Sequence, residues 1–249
     1  MAIMIKTRGE IEKMRRSGQV LKQVHDAVRA AVVPGATTMD LEAVAVRKIE
    51  ELGAVSAFKG YQGYPAVLCT SVNSEVIHGI PSAKRVLHEG DIVSIDCGVV
   101  IEGFYSDCAV TLPVGKLGQK VSKLLDVTQA SLEQAIQQVR VGATLGDIGA
   151  AVQEMVEADG FSVVREFVGH GIGAKMHEDP QVPNYGRRGQ GTKLKAGMVL
   201  AIEPMVNAGA AAVKVLADGW TAVTVDGSLS AHFEHTVAVT EDGPLVLTR

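Results

Sequence analysis

Hydrophobic positions recur at helical spacing in the first part of this 249-residue chain, directly after a helix-start signal. Thr7 and Glu10 have the spacing of a T-x-x-E capping box. The apolar residues that follow at helical spacing are Ile11, Met14, Leu21, Val24 and Val28. Pro34–Gly35 ends this predicted helix, and Thr38 can cap a second one that Gly53 ends.

Strand-like segments follow these helices. Residues 91–100 and 104–112 predict two β-strands joined by a turn at Glu102–Gly103, which together form a hairpin. The order of helices followed by strands then recurs. Helices are predicted at 121–139 and 144–159, a short strand at 163–168, and two further strands at 199–205 and 233–239. Helices segregated against antiparallel strands predict a layered α+β structure.

The two halves also match residue by residue when the sequence is shifted by 107 positions. Residues 87–96 then lie over residues 194–203, with Leu, Gly and Ile in register and a carboxylate at the last position of each copy. A repeat of this length indicates two copies of one structural unit. We therefore expect one catalytic domain over residues 1–249, built from interlocked halves at about 7–113 and 114–249.

Composition narrows the class of protein. The chain is 47% apolar and can bury a sizeable core, while a formal charge of -4 gives no basic surface for nucleic acid or an acidic membrane. Its three cysteines, Cys69, Cys97 and Cys108, lack the spacing of a disulfide framework and fit a reducing compartment. We expect no signal peptide, no membrane helix of ~20 apolar residues, and a cytoplasmic location.

Carboxylates occupy equivalent hairpin positions in the two halves. In the first hairpin, pairing centred on Ile101 and Glu102 places Asp96 opposite Asp107 on one face of the sheet. Glu203 stands at the repeat position of Asp96, and Glu234 corresponds to Asp107 after an insertion of 20 residues. A pseudo-twofold axis would bring all four together, and such a cluster is unstable unless cations lie within it. Carboxylates can bridge two divalent ions, so the sequence predicts a dinuclear metal site.

Histidines beside glycines complete the candidate chemistry. His170 lies between Gly169 and Gly171 after a predicted strand, and the glycines allow a close backbone approach and unusual φ angles. One imidazole among carboxylates makes a harder site than structural zinc sites have, so Mn, Fe, Co, Ni or Zn ions would fit. His78 and His177 could hold a substrate carbonyl and stabilise its oxyanion. Without the metal site, each of these histidines would be an ordinary hydrogen-bonded residue.

The segment around His170 resembles a known signature. The run that carries the resemblance is Phe167-x-Gly169-His170-Gly171-Ile172-Gly173-x-x-x-His177-x-x-x-x-Val182-x-Asn184-Tyr185. It is similar to that of bacterial type I methionine aminopeptidases, and the similarity extends from the first helix to Val239. It implies the pita-bread fold, with the metal site on a central antiparallel sheet.

The resemblance also implies roles for individual residues. Two divalent ions would be held by Asp96, Asp107, His170, Glu203 and Glu234. Glu203 would act as general base on a metal-bridging water, while His78 and His177 would contact the substrate. The methionine pocket would be lined by Phe58, Tyr61, Tyr64, Cys69, Met176 and Trp220. Many bacterial members have Cys at the position of Phe58 and Phe at that of Met176, so the pocket wall differs in detail.

Further expectations concern ions and partners. Asn73, Glu75 and Ser230 match a monovalent-cation site that consists largely of backbone carbonyls. The resemblance implies removal of the initiator methionine from deformylated nascent chains when the next residue is small. We expect a monomer without nucleic-acid or membrane partners. A transient ribosome contact stays open, since residues 207–218 hold only one basic side chain, Lys214.

Two other functions compete with this interpretation. An aminopeptidase P or a prolidase-like hydrolase shares the fold and the ligands, but such enzymes usually carry an additional N-terminal domain that we do not expect here. A pita-bread protein that has become a binding module would have lost ligands, whereas all five predicted ligands are present. A metal titration tests the binding module, and peptides beginning Met-Ala or Ala-Pro separate the enzymes.

Overall fold

The computed structural model describes residues 3–249, and its helices form two consecutive pairs. They are α1 (Arg8–Ala31), α2 (Thr38–Glu51), α3 (Gln119–Gln137) and α4 (Leu145–Ala158). The capping box of Thr7 and Glu10 is confirmed. The predicted cap of the second helix is wrong by one residue, because Thr37 rather than Thr38 exchanges hydrogen bonds with Asp40. Within residues 3–249, no helix has the length and apolarity needed to cross a membrane.

Between residues 3 and 249, fifteen strands, several of them very short, supply the sheets. They are β1 (Val55–Ser56), β2 (Leu68–Val72), β3 (Glu75–Ile77), β4 (Ile92–Ile101), β5 (Phe104–Pro113), β6 (Ser162–Val163), β7 (Gly169–Gly171), β8 (Glu178–Val182), β9 (Val199–Ile202), β10 (Met205–Asn207), β11 (Val213–Val215), β12 (Ala222–Thr224), β13 (Ser230–His232), β14 (Glu234–Thr240) and β15 (Gly243–Val246). The predicted strand at 163–168 is wrong: only Val163 belongs to a strand, and His170 lies within β7 instead of in a loop.

Among the described residues, nine strands form one antiparallel sheet to which both halves contribute. β5 and β14 lie side by side at the centre, β4 and β9 flank them, and β1 and β7 follow. β2 also pairs with β4, β8 with β7 and β15 with β14. Two small sheets, β13-β10-β6 and β11-β12-β3, complete the structure. The predicted α+β class is confirmed.

The internal repeat is visible in the backbone hydrogen bonds. The amide of Gly35 donates to the carbonyl of Leu87 at 2.8 Å, and 107 residues later the amide of Gly142 donates to the carbonyl of Leu194 at 3.0 Å. Each bond ties the segment before a helix, α2 or α4, to the segment that leads into β4 or β9. The two halves therefore share their local structure as well as their sequence pattern.

Each helix pair covers its own half of the sheet. Leu21 and Leu41 pack with Ile95 of β4 in one core, while Leu132 and Ile148 pack in a second core with β9. Side chains alternate along a strand, so the residues next to Ile95 face away from the helices. The other face of the sheet is therefore free to carry the polar site.

Gly169→Ala should destabilise the protein because β7 lies too close to β9 for a side chain at this position. A Cβ atom on Gly169 would overlap the carbonyl oxygen of Ala201. We expect a loss of roughly 1–3 kcal/mol in the free energy of unfolding, measured by urea titration of chelator-treated protein. Gly9→Ala is the matched control, because a Cβ there meets open space. Equal stability of Gly169→Ala and wild type would contradict this close approach.

Candidate metal centre and active site

The β4–β5 hairpin presents two carboxylates on the face opposite the helices. Asp96 pairs with Ala109 and Asp107 with Gly98, so the prediction that the two aspartates lie directly opposite is wrong. The predicted turn at Glu102–Gly103 is present, but it makes Ile101 and Phe104 the last pair, whereas the prediction centred the pairing on Ile101 and Glu102. The aspartates are diagonal neighbours on one face, so their carboxyl groups remain close to each other.

The other ligand candidates converge on these aspartates from the second half. Glu203 directly follows β9, and Glu234 opens β14. Nε2 of His170 lies 3.9 Å from Oδ2 of Asp107 and 3.7 Å from Oε1 of Glu203. Potential ligand atoms of Asp107, His170 and Glu234 all lie within 4.8 Å of one another. The structure thus brings the predicted ligands from both halves to one point.

Burial and mutual repulsion make the carboxylates reluctant to ionise. Burial raises the pKa of Asp96 to about 7. Burial also raises the pKa values of Asp107, Glu203 and Glu234 far above the usual range, and repulsion between the carboxylates adds to the shift. Oδ1 of Asp96 and Oε1 of Glu234 are buried without a hydrogen-bond partner. Buried acceptor oxygens without donors are the environment that divalent cations stabilise, so the residues fit a metal centre.

The hydrogen bonding of His170 leaves one ring nitrogen free for a metal. Nδ1 lies 2.9 Å from the carbonyl oxygen of Gly171 and must donate, because a carbonyl only accepts. Burial lowers the pKa of His170 to about 3, so the ring is neutral. Its Nε2 lone pair therefore faces the carboxylates, as metal-binding histidines require. The flanking glycines have ordinary φ angles, so only the predicted close approach is confirmed, whereas the predicted unusual φ is wrong.

A cavity of about 250 Å³ opens beside this cluster. The residues predicted for the substrate side all line it: Phe58, Tyr61, Tyr64, Cys69, His78, Met176, His177 and Trp220. All five metal-ligand candidates border the same space. The sequence did not point to Gln62, Ile77 and Val168, which also line it. Ile77 and Val168 are neighbours of motif residues, whereas no pattern distinguished Gln62.

The two substrate-side histidines are held by aromatic residues. The hydroxyl of Tyr61 lies 2.8 Å from Nδ1 of His177, and the two rings stack at 5.4 Å. His78 has a positive φ of 60° and meets the rings of Phe167 and Trp220 edge-on. Burial lowers the pKa of His78 to about 4 and also lowers that of His177. Both rings are therefore neutral near pH 7.

The residues of the predicted monovalent-cation site lie outside the cavity lining. Asn73 and Ser230 are joined by a backbone hydrogen bond of 2.9 Å. The side-chain amide of Asn73 donates to Asp91. The carboxylate of Glu75 accepts from the backbone amide of Val72 and pairs with Arg85. Because these side chains have other partners, a cation here would depend on backbone carbonyls. The site stays a prediction.

One buried histidine next to the cluster was not singled out from the sequence. His232 is 1% exposed, and its Nε2 lies 3.7 Å from Oε2 of Glu203. Burial lowers its pKa to about 3. A signal was available, because His232 precedes Glu234 by two positions, the spacing of neighbours on one face of an extended chain.

The fold and the ligand cluster together define a metallopeptidase. Residues 12–241 match the model of metallopeptidase family M24, and the chain belongs to this family. The methionine aminopeptidase of Clostridium acetobutylicum is 50% identical over 246 residues, which cover 99% of this chain and 98% of that protein. Methionine aminopeptidase 1 of Bacillus subtilis is 50% identical over 247 residues, 99% of each chain. These findings confirm the resemblance to methionine aminopeptidases.

Solved structures give the same result. The methionine aminopeptidase of Thermotoga maritima superimposes with a TM-score of 0.98 at 50% identity over the full length of both chains. The prolidase of Pyrococcus horikoshii OT3 superimposes with a TM-score of 0.78 at 23% identity, covering 98% of this chain and 63% of the prolidase. The second likeness concerns the fold alone. The predicted pita-bread fold is confirmed.

Metal-free protein should lose stability as the pH rises above neutrality. Burial raises the carboxylate pKa values, to about 7 for Asp96, so the folded state holds protons that the unfolded chain releases. Folding stability then falls as the pH climbs toward the folded pKa values. The buried histidines act in the opposite direction, but only below about pH 6.5, where the unfolded chain binds their protons. The decline should therefore appear between about pH 6.5 and 8.5.

Urea titrations of chelator-treated protein across this range measure the effect. Saturating Mn²⁺ should remove the decline, because the ions bind the deprotonated carboxylates. Glu234→Gln should reduce the slope, whereas Glu241→Gln, at an exposed position, should leave it unchanged. Stability that is constant or rises over this range would contradict the proton-retaining cluster.

Proposed function

We propose that this chain is a methionyl aminopeptidase that removes the N-terminal methionine from proteins and peptides when the next residue is small. The observation that carries the proposal is one cavity that joins the ligand cluster to an apolar slot. Relatives of about 50% identity over nearly the whole chain support it. We further propose that the protein is a cytoplasmic monomer acting on deformylated nascent chains, with at most a transient ribosome contact.

The apolar slot fits an unbranched thioether. Tyr64 and Trp220 meet edge to face at 5.0 Å, and Met176 is buried in the same group of side chains. The hydroxyl of Tyr64 donates to the carbonyls of Leu68 and Gly79, so only its ring is offered to a ligand. Aromatic faces and soft sulfur atoms are favourable partners for a methionine side chain.

Two divalent ions held by Asp96, Asp107, His170, Glu203 and Glu234 would supply Lewis acidity to the scissile carbonyl and lower the pKa of the attacking water. Glu203 is the proposed general base. With the ions bound its carboxylate would be ionised, so it could take a proton from the attacking water and deliver it to the leaving amide nitrogen.

The substrate-side histidines are proposed to act on the reacting amide. We assign the hydrogen of the Tyr61–His177 bond to the tyrosine hydroxyl, which leaves Nε2 of His177 protonated and able to donate to the developing oxyanion. His78 would contact the scissile amide nitrogen. Since the carbonyl must pass both rings, a small second residue is favoured. Asn73, Glu75 and Ser230 would hold a monovalent cation through their carbonyls.

A peptide panel followed by mass spectrometry tests the proposed specificity. Met-Ala-Ser, Met-Gly and Met-Ser peptides should lose methionine, whereas Met-Lys and Met-Trp peptides should hardly react. Formyl-Met peptides should be inert, because the formyl group blocks the free α-amine. Peptides whose first residue is charged should be rejected, since the charge would lose its hydration in the apolar slot. Removal of Ala ahead of Pro from Ala-Pro-Ala, with Met-Ala-Ser left intact, would favour the prolidase-like alternative.

Glu203→Gln should lower kcat by at least roughly 10²-fold, because it removes the proposed base and a ligand charge. The variant should fold, since one fewer buried carboxylate reduces repulsion in the metal-free cluster. Asp242→Asn, at an exposed position, is the matched control and should keep wild-type kcat. Steady-state kinetics on Met-Ala-Ser measure both variants, and a kcat within tenfold of wild type would exclude Glu203 as the base.

A further inference from the structure

The carboxylate of Glu203 lies between two imidazole rings, and the proposed mechanism uses only one of them. Oε1 is 3.7 Å from Nε2 of His170, and Oε2 is 3.7 Å from Nε2 of His232. One oxygen therefore points toward the metal-ligand side and the other toward a ring that has no assigned role.

The ring of His232 is buried without a hydrogen-bond partner. Neither Nδ1 nor Nε2 makes a hydrogen bond, although the residue is only 1% exposed. A neutral imidazole carries one N–H and one acceptor nitrogen, and a buried group left unpaired costs roughly 1–3 kcal/mol. A donor facing an anionic oxygen removes most of this cost if the separation shortens to about 2.8 Å.

Hydrogen bonds fix the main chains of His232 and Glu203. Rotation of their side chains alone can therefore shorten the 3.7 Å between Nε2 and Oε2. The hydroxyl of Thr111 donates to the carbonyl of His232 at 2.9 Å and accepts from its amide at 2.8 Å. The side-chain amide of Asn184 donates to the backbone carbonyl of Glu203 at 2.9 Å. A shift of about 1 Å at the side-chain tips lies within ordinary torsional adjustment.

The imidazole rings of His170 and His232 differ in the hydrogen bonds that decide which nitrogen carries the hydrogen. Nδ1 of His170 donates to Gly171, which leaves its Nε2 as a lone pair for a metal. Nδ1 of His232 has no such carbonyl, and its Nε2 faces Oε2 of Glu203, an oxygen that would be anionic with metal ions bound. The N–H of His232 therefore belongs on Nε2. The two histidines flank one carboxylate, His170 with a lone pair and His232 with a donor.

We propose that His232 is a positioning residue, whose Nε2–H donates to Oε2 of Glu203 and thereby directs Oε1 toward the metal-ligand side. This inference rests on the metal centre of the proposed function and is independent of its methionine specificity. Outer hydrogen-bond partners of metal-ligating side chains typically contribute about 10–100-fold to metal affinity or activity. A residue with this role should act first on metal binding.

Calorimetric titration of chelator-treated protein with Mn²⁺ tests the proposal. His232→Leu removes the donor and should weaken Mn²⁺ binding by about 10–100-fold. His232→Gln keeps an N–H donor and should restore most of the affinity. His25→Leu is the matched control: His25 is also a buried imidazole, but its Nε2 bonds to the carbonyl of Cys108 on the helix side of the sheet, so Mn²⁺ affinity should be unchanged.

Kinetics on Met-Ala-Ser at saturating Mn²⁺ add a second readout. His232→Leu should lower kcat more than it raises KM, because a rotated Glu203 still leaves the slot intact. Wild-type Mn²⁺ affinity and kcat in folded His232→Leu would overturn the positioning role alone. If His232→Leu does not fold, His232→Gln decides, since a loss of affinity there would also overturn it. A wild-type protein without a stoichiometric Mn²⁺ site would overturn the metal centre and the positioning role together.

Discussion

The repulsion among four buried carboxylates is the constraint on which the rest of this structure depends. Bringing such groups out of water and next to one another is unfavourable, and the raised pKa values express that cost. The backbone must therefore hold each ligand in place without help from its side chain. Hydrogen bonds between the two halves do this. The hydroxyl of Thr236 accepts from the amide of Asp107 and donates to its carbonyl, while the thiol of Cys108 donates to the carbonyl of Glu234.

These contacts explain why the two halves cannot be considered separately. β5 and β14 pair at only two positions, Glu234 with Ala109 and His235 with Cys108. This short ladder lies directly at the candidate metal ligands, so the junction of the halves and the candidate metal centre are the same place. Each half supplies one pair of carboxylates and also a hydrogen-bonding side chain that fixes one member of the other pair. A change at the junction would alter stability and metal geometry together.

The positions of the helices and of the carboxylates could be predicted from the sequence better than the pairing register of the strands. Helical periodicity and capping boxes are local, so α1 to α4 could be predicted, and the repeat pointed to the carboxylates. The offset of Asp96 from Asp107 was missed because the pairing was centred on Ile101 and Glu102, whereas the two-residue turn at Glu102–Gly103 pairs Ile101 with Phe104. His170 was misplaced because β7 has only three residues, two of them glycines without strand propensity. The slot residues come from distant segments and share no local pattern, so only the resemblance indicated them.

Chemistry and specificity reside in different parts of the chain. The prolidase likeness shows that this fold extends to proteins of 23% identity, so the fold alone does not select a substrate. Selection must come from the segments that wall the slot, above all the loop that presents Met176 and His177. Glu178 anchors that loop, because its carboxylate accepts from the amide of Lys175 and pairs with buried Lys6 at 2.6 Å. Lys6 precedes α1, so it supports the loop beside the slot from a position outside the ligand cluster. The slot can therefore change through loop substitutions while the hydrogen bonds that hold the carboxylates stay intact.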